Sequence, residues 1–393
     1  MRIARVLTRL NLGGPARQVL ASDPLLLDRG HEVTVFAGSP EPGEGDLFDQ
    51  LAERGVPVRR VPGLVRGLSP AKDLYALRWL RRELALLAPD VVHTHASKAG
   101  TLGRRAAAPL ARRGTALVHT FHGHVLEGYF PDVISRRLVA AERRLARTTD
   151  RVLAVSHATA EDLLRLEVVD EDRLWVVPPG VDLARHLELP LPGKRGGQGP
   201  LRRLLGVPVD APLVGVVGRL AEVKRPELAL EAFTTIAGRH VDAHLAFVGD
   251  GDGRRDLEGR IRALDPALQA RVHLAGNRTD AVEVFGDLDV LLASSRSEGL
   301  PVAMVEAAAA GVPVVSTAVG GVPEVVAHER TGLLAGDEAE LAMHLDALLR
   351  DAAGREGYGH RARLRVSDRY GARVLADKLE AHYGAAMGAR CGS

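Results

Sequence analysis

Short aliphatic runs recur along this chain, separated by longer stretches whose apolar residues return every three or four positions. The runs IARVLT (3–8), HEVTVFAG (31–38), PVRRVPG (57–63), DVVHTHA (90–96), ALVHTFHG (116–123), RVLAVS (151–156) and LWVVPPGVD (174–182) have the length and composition of strands. Helical patterns fill most of the gaps, as at 71–87 and 132–148. Strand and helix in alternation predict a parallel sheet covered on both faces, and Val- and Leu-rich runs without strict alternation agree, because such strands are buried on two sides.

The pattern breaks at LPLPGKRGGQGP (189–200), where Pro and Gly crowd together without a period, as in a linker. It then restarts: PLVGVVGRL (212–220), HLAFVGDG (244–251), RVHLAGN (271–277), DVLLASS (289–295) and PVVSTAV (313–319) read as strands, with helices expected at 226–237, 253–263, 279–286 and 301–310. The expected organisation is two tandem Rossmann-like, doubly wound α/β domains facing a central cleft, the first over 1–190 and the second over 191–366. A last helical pattern, about 367–388, is expected to pack back on the first domain. In such sheets the default ligand site lies at the C-terminal ends of the strands.

Composition narrows the class. The chain has 393 residues, 46% hydrophobic and 26% charged, with a formal net charge of +2, so no nucleic-acid partner is called for. Charge is unevenly spread: between Arg54 and Arg151 nineteen Lys and Arg face seven Asp and Glu, a local net of +12. Paired arginines such as Arg81-Arg82, Arg104-Arg105 and Arg143-Arg144 read first as a solvated helix face. The sharper alternative is peripheral contact with an anionic membrane or with a phosphate-bearing acceptor. One cysteine, Cys391, excludes a disulfide within the chain and fits a reducing compartment. No signal-peptide core or membrane-length apolar run occurs, so a cytoplasmic enzyme is expected, with room for a peripheral place at the inner membrane face.

Candidate chemistry concentrates in SRSEGLPVAMVEAAAAGVPVVSTAVGGVPEVV, where Glu298 and Glu306 stand eight places apart. DVLLASS is a strand, Pro301 suits a first helical turn, and VAMVEAAAA continues with good helix formers. Glu298 therefore falls in the strand-to-helix turn and Glu306 within the helix. Gly299 and Leu300, with Val302, leave amides free at a helix start, which favours an anion. A carboxylate beside an anion site is explicable if the ligand joins an anion to polyhydroxyl groups, Glu306 gripping one diol and Glu298 another. Gly13 and Gly14 form a similar strand–turn–helix before Pro15 and allow close backbone approach, or are an ordinary tight turn. They are not a GxGxxG fingerprint, which argues against an NAD enzyme. Arg219 and Lys224, after the strand 212–220, could reach a diphosphate, as a planar fork and a point charge; surface charge is the plainer reading.

The segments GGP, FHG, PPGVD, VVGRLAEVKRPELALEAF, FVGDGDGRRDLE, LAGNRTDAVEVFGDLDVLLASSRSEGLPVAMVEAAAAGVPVVSTAVGGVPEVV and TGLLA, in that order, resemble the retaining glycosyltransferases of family 4, which have the GT-B fold. The match is dense over the second domain and thinner over the first. The resemblance implies a hexosyl- or N-acetylhexosaminyl-type transferase (EC 2.4) using a nucleotide-sugar donor, expected to be a UDP-sugar, with no cofactor and usually no metal. By the same resemblance Glu298 contacts the donor sugar, Glu306 holds the ribose hydroxyls, and Arg219 and Lys224 neutralise the diphosphate leaving group. Gly13 and Gly14 approach the phosphates, and Gly299, Leu300 and Pro301 form the turn against sugar and phosphate. His122 lies beside the donor sugar, and the AGNR loop with Asn277 and Arg278 binds the base. Stabilising the leaving group lets the acceptor hydroxyl attack from the same face; Glu298 as a nucleophile is the other route.

Arg17 stands where the family often has an acidic residue after the glycine pair, so acceptor contacts are not carried over. The acceptor is expected to be a glycan, a lipid-linked glycan or a small molecule, with HTFHGHVLEGYFPD (119–132) helping to shape its site. His93 with His95, and His122 with His124, share strand faces; spacing alone would suit zinc, but polar residues lining the cleft are the preferred reading, and no metal is expected. GDGDG (249–253) reads as a strand-to-helix turn, not a calcium loop. Two alternatives remain in view: a GT-B-like UDP-sugar 2-epimerase, which needs no acceptor, and an inactive nucleotide-sugar sensor.

Overall fold

The computed structural model describes residues 1–41, 44–67, 69–123, 126, 131–192 and 198–391. They form two units, Met1–Val181 with the segment from Ala372 onward, and Asp182–Gly371.

In the first unit, seven parallel strands lie in the order β3-β2-β1-β4-β5-β6-β7: β1 (Arg2–Leu7), β2 (Glu32–Ala37), β3 (Val58–Arg60), β4 (Val91–His95), β5 (Ala116–Phe121), β6 (Arg151–Ala154) and β7 (Leu174–Val176). Each strand coincides with an expected aliphatic run. The core is Ile3, Leu7, Val33, Val35, Val91 and Val118 on one face of the sheet, and Ala4, Val6, Phe36, Val92 and Leu117 on the other. Helix Gly14–Asp28 carries Pro24, which cannot donate to the Leu20 carbonyl; Arg54 Nη1 donates to it instead, at 3.3 Å.

The second unit has six parallel strands in the order β10-β9-β8-β11-β12-β13: β8 (Leu213–Val217), β9 (His244–Val248), β10 (Val272–Gly276), β11 (Val290–Ala293), β12 (Val314–Thr317) and β13 (Gly332–Ala335). Helix Pro226–Ile236 buries Leu228, Phe233 and Ile236 against Leu245 and Phe247. Each fully buried phenylalanine is worth about 1.5–3 kcal/mol. Gly215, next along β8 from Val214 of this cluster and so on the other face of the sheet, makes room there for Leu288, since a Cβ would lie 2.4 Å from Leu288 Cδ1.

Three differences from the sequence reading have physical causes. The final helical pattern does not run unbroken from 367: helix Ala352–Ser367 ends, Asp368–Gly371 turns, and helix Ala372–Cys391 follows. The break is fixed by Tyr370, which is buried and donates its hydroxyl to Glu324 O at 3.2 Å. Beyond it, the last helix is held to the first unit by Arg29 with Glu380 (2.8 Å), His31 with Glu380 (3.0 Å) and Arg390 with Asp150 (2.7 Å). Strand β13 lies in TGLLA, too short to register as a run. Arg104 is not part of a solvated face: it is 2% exposed and paired with Glu142 at 2.5 Å, on a helix (Ser97–Ala111) that Gly100 and Gly103 let lie close to the sheet. Among the described residues, no helix is long and apolar enough to cross a membrane.

Candidate functional site

In the second unit, the singled-out residues gather where β8, β10 and β11 end. β8 lies between β9 and β11, so the loops leaving β8 and β11 are neighbours. Arg219 and Lys224 are on the first, Glu298, Gly299, Leu300 and Pro301 on the second. Two of them meet: Lys224 Nζ lies 2.5 Å from Glu298 Oε1. Ser295 Oγ donates to the same oxygen at 2.6 Å. Oε2 of Glu298 has no partner among the described residues. The carboxylate is 10% exposed and the ammonium 34%, so the pair is partly screened from solvent.

The two loops are stitched together by their backbones. Arg225 has φ +45° and ψ +56°, a left-handed turn between Lys224 and Pro226. Ser294 Oγ is within hydrogen-bonding distance of the Lys224 and Arg225 carbonyls (3.0 and 2.6 Å), and Arg225 Nε donates to Ser294 O at 2.9 Å. Arg296 N donates to Val223 O at 2.8 Å. On the other side, Gly321 N donates to Glu298 O at 3.2 Å, and a Cβ on Gly320 (φ +51°) would sit 1.9 Å from that carbonyl oxygen. Ser294, Ser295, Arg225 and Gly320 thus position the Lys224–Glu298 pair. Sequence reasoning gave them no role; the glycine pair in AVGGVPE was the only local signal.

Helix Val302–Ala309 starts after Pro301, and the amides of Gly299, Leu300 and Val302 donate to no acceptor among the described residues. Glu306 is buried within this helix. Arg219 has no ion pair or hydrogen-bonded side-chain partner among the described residues, and Gly251 makes room beside its Cγ. The GDGDG segment is a turn: Leu220 N donates to Asp250 O at 3.0 Å and Gly253 N to Leu220 O at 2.9 Å, which braces the Arg219 loop. Asn277 and Arg278 follow β10, where Arg278 is held by Asp280 in a two-point pair (Nε–Oδ1 2.8 Å, Nη2–Oδ2 2.5 Å). That pair raises the arginine pKa and lowers the aspartate's. Among the described residues, neither Arg278 nor Arg219 makes a hydrogen bond or ion pair to Lys224 or Glu298.

In the first unit, Gly13 caps helix Gly14–Asp28 at the end of β1, and its amide donates to Asn11 Oδ1 at 3.2 Å. Arg17 turns its Nε back to Leu12 O at 3.2 Å. His122 follows β5. His93 and His95 do not line an open surface; both are fully buried, because β4 is covered on the face they share. Every nitrogen of the two rings is engaged by protein: His93 by Tyr383 Oη and Thr120 Oγ1 (both 2.7 Å), His95 by Arg5 Nε (3.1 Å) and His122 (2.9 Å). Burial, more than neighbouring charge, pushes both pKa values well below the ordinary histidine range. Among the described residues no group of three or more His, Cys, Asp or Glu is disposed to hold a metal ion. His124 and much of the expected acceptor segment 119–132 lie outside the described residues.

Comparison with known proteins defines the class. The Glycosyltransferase Family 4 model matches residues 12–185, and the Glycosyl transferases group 1 model matches residues 200–365. The D-inositol 3-phosphate glycosyltransferase of Xylanimonas cellulosilytica is 32% identical over 383 residues, spanning 92% of this chain and 88% of the relative. That of Mycobacterium bovis is 31% identical over 392 residues, spanning 96% and 79%. Among solved structures, Anabaena HepE in complex with UDP-glucose matches with a TM-score of 0.79 at 21% identity, over 98% of this chain and 100% of that one. Sucrose-phosphate synthase from Thermosynechococcus elongatus matches with a TM-score of 0.80 at 22% identity, over 99% and 100%. The two parallel sheets with their alternating helices are the GT-B fold. This chain belongs to glycosyltransferase family 4 and is a glycosyltransferase (EC 2.4).

Proposed function

We propose that the chain transfers a hexosyl-type sugar from a UDP-sugar to an acceptor hydroxyl, with retention and without a metal. The observation that carries this reading is the Lys224–Glu298 pair on neighbouring loops that also bear the amides of Gly299 and Leu300 and the side chain of Arg219, none of which has a partner among the described residues. Departure of a nucleoside diphosphate builds negative charge, and two cations with helix-start amides are suited to stabilise it. In this reading Arg219 and Lys224 take the diphosphate, Glu298 meets the sugar hydroxyls through Oε2, and Glu306 grips the ribose. Asn277 and Arg278 meet the base, Gly13 and Gly14 the phosphates, and His122 the sugar. The acceptor hydroxyl attacks from the face the leaving group departs, which hands its proton to the departing phosphate oxygen.

HepE has been crystallised with UDP and with UDP-glucose, which supports the choice of nucleotide. For the acceptor, the names of the curated relatives favour a small phosphorylated polyol over a glycan or lipid-linked glycan. These relatives are transferases, which weighs against an epimerase. The test is product analysis with a UDP-sugar, with and without D-inositol 3-phosphate and inositol. Acceptor-dependent formation of an α-linked glycoside from an α-linked donor supports the proposal. Conversion of the donor to its 2-epimer without acceptor would replace it.

A further inference from the structure

An arginine on β1 and two histidines on β4 occupy interior positions of the first sheet where aliphatic residues would be expected, and a buried aspartate, Asp23, faces them from helix Gly14–Asp28. Arg5 on β1 is 0% exposed and lies beside β4, its Cα paired with that of His93. Its guanidinium is anchored by Nη1, which donates to Asp23 Oδ1 at 2.9 Å and to Tyr383 Oη at 3.2 Å. A guanidinium has only donors. Arg5 Nε, 3.1 Å from His95 Nε2, therefore donates, and that ring nitrogen accepts. Neutral His95 must then carry its proton on Nδ1. Nδ1 lies 2.9 Å from His122 Nε2, so the second bond also runs one way and His122 Nε2 accepts. The proton of neutral His122 is left on Nδ1, which has no partner among the described residues.

We propose that Arg5 and His95 are positioning residues that hold His122 as the neutral Nδ1–H tautomer, so that it meets the donor sugar as a hydrogen-bond donor and not as a base. This rests on the reading, under Proposed function, that His122 faces the donor.

The rest of the network agrees. Tyr383 Oη accepts from Arg5, so its own proton turns to His93 Nδ1 at 2.7 Å, and His93 Nε2–H turns to Thr120 Oγ1 at 2.7 Å. Each of these bonds then has one donor and one acceptor. Reversing the His95 tautomer would set two buried donors against each other at the Arg5–His95 contact. Protonating His122 is opposed first by burial and then by the Arg5 charge, which push its pKa down to about 3. The strand end that carries His95 is also strained: Ala96, next in the chain, has φ +56° and ψ 177°, a conformation costly for any residue with a Cβ. With Nε2 occupied and Nδ1 protonated, His122 has no lone pair to receive the acceptor's proton, in keeping with its passage to the leaving group.

The test is imidazole nitrogen NMR of the full chain labelled with ¹⁵N-histidine, the His122 signals being assigned by their loss in His122→Gln. The expected result is a protonated-type Nδ1 and an unprotonated-type Nε2. A protonated Nε2 in the wild-type protein overturns the proposal, whatever the variants do. His95→Phe is expected to release the preference, giving mixed tautomers, and to lower kcat at least tenfold. His95→Asn, which keeps an amide N–H near the place of Nδ1, is expected to restore both. An unchanged His122 tautomer in a folded His95→Phe protein would also overturn the proposal. Full transfer activity in His122→Phe would instead remove the donor contact beneath the inference, and the NMR result distinguishes that failure from a wrong tautomer.

Discussion

Lys224 and Glu298 stand 74 residues apart in the chain, yet Lys224 Nζ is 2.5 Å from Glu298 Oε1. Ser295 Oγ donates to the same oxygen, so one carboxylate oxygen is saturated by protein and the other is left for a ligand. The contact joins the loops after β8 and β11 and neutralises two charges that a donor would otherwise meet singly. Removing the ammonium takes away a stabiliser of the leaving group and loosens Glu298 together. We expect Lys224→Ala to cut turnover by about a hundredfold or more, the usual scale for one transition-state charge stabiliser. Steady-state kinetics at saturating donor give the answer, and near-wild-type turnover would sink the leaving-group role.

Gly320 protects that geometry from the far side. Its φ is +51°, and a Cβ would lie 1.9 Å from Glu298 O. Backbone strain alone is on the order of 1 kcal/mol for alanine in this region, and the clash forces the Glu298 main chain to move. Gly320→Ala should lower kcat/KM about tenfold or more while the far-UV circular dichroism stays that of the folded protein. Unimpaired kinetics would mean that Glu298 need not be held where it is.

Glu306 is buried in helix Val302–Ala309, behind the turn that bears Glu298. Hydrogen bonds donated by hydroxyls to a carboxylate are worth about 1.5–3 kcal/mol, so Glu306→Ala should weaken UDP binding roughly 10- to 100-fold. Calorimetric titration of the variant with UDP alone checks this, since the ribose is present without the sugar. Equal affinity in variant and wild type would remove Glu306 from the ribose contact.

Much of the fold was readable because parallel strands buried on both faces leave continuous aliphatic runs, as in VLLA and LVGVV. The break at Tyr370–Gly371 was not, because it depends on a hydroxyl finding Glu324 O 46 residues away. The same division holds for the candidate site. Glu298, Glu306, Lys224 and the glycine turns stand out by their motif. The clamp by Ser294, the left-handed Arg225 and the Arg5–His95–His122 chain do not, since they arise from a φ angle or from pairs 27 to 90 residues apart in sequence. Nothing in IARVLT marks Arg5 as buried.

The histidines of the first sheet also predict an acid-sensitive fold. Burial, as the largest cause, lowers the pKa values of His93, His95 and His119 well below 6.5, and that of His122 to about 3. The unfolded chain binds protons as pH drops through about 6.5 and the folded chain does not, so stability falls with pH. The slope below that point is about 1.4 kcal/mol per pH unit for each such histidine. Urea unfolding at pH 7.5, 6.5 and 5.5 should show a declining midpoint. His119→Asn, which keeps a polar atom near the place of Nδ1 for Thr94, should reduce the decline by one histidine's share. A midpoint unchanged across this range would contradict the neutral, buried cluster.

The central claim is that the Arg219–Lys224–Glu298 loops bind a nucleotide-sugar diphosphate without a metal. Calorimetric titration with UDP, GDP, ADP and their common sugar conjugates, with EDTA present throughout, tests it most directly. Tight binding of the uridine series in EDTA, lost or much weakened in Lys224→Ala, is the expected result. Failure of every nucleotide to bind until a divalent cation is supplied would contradict it.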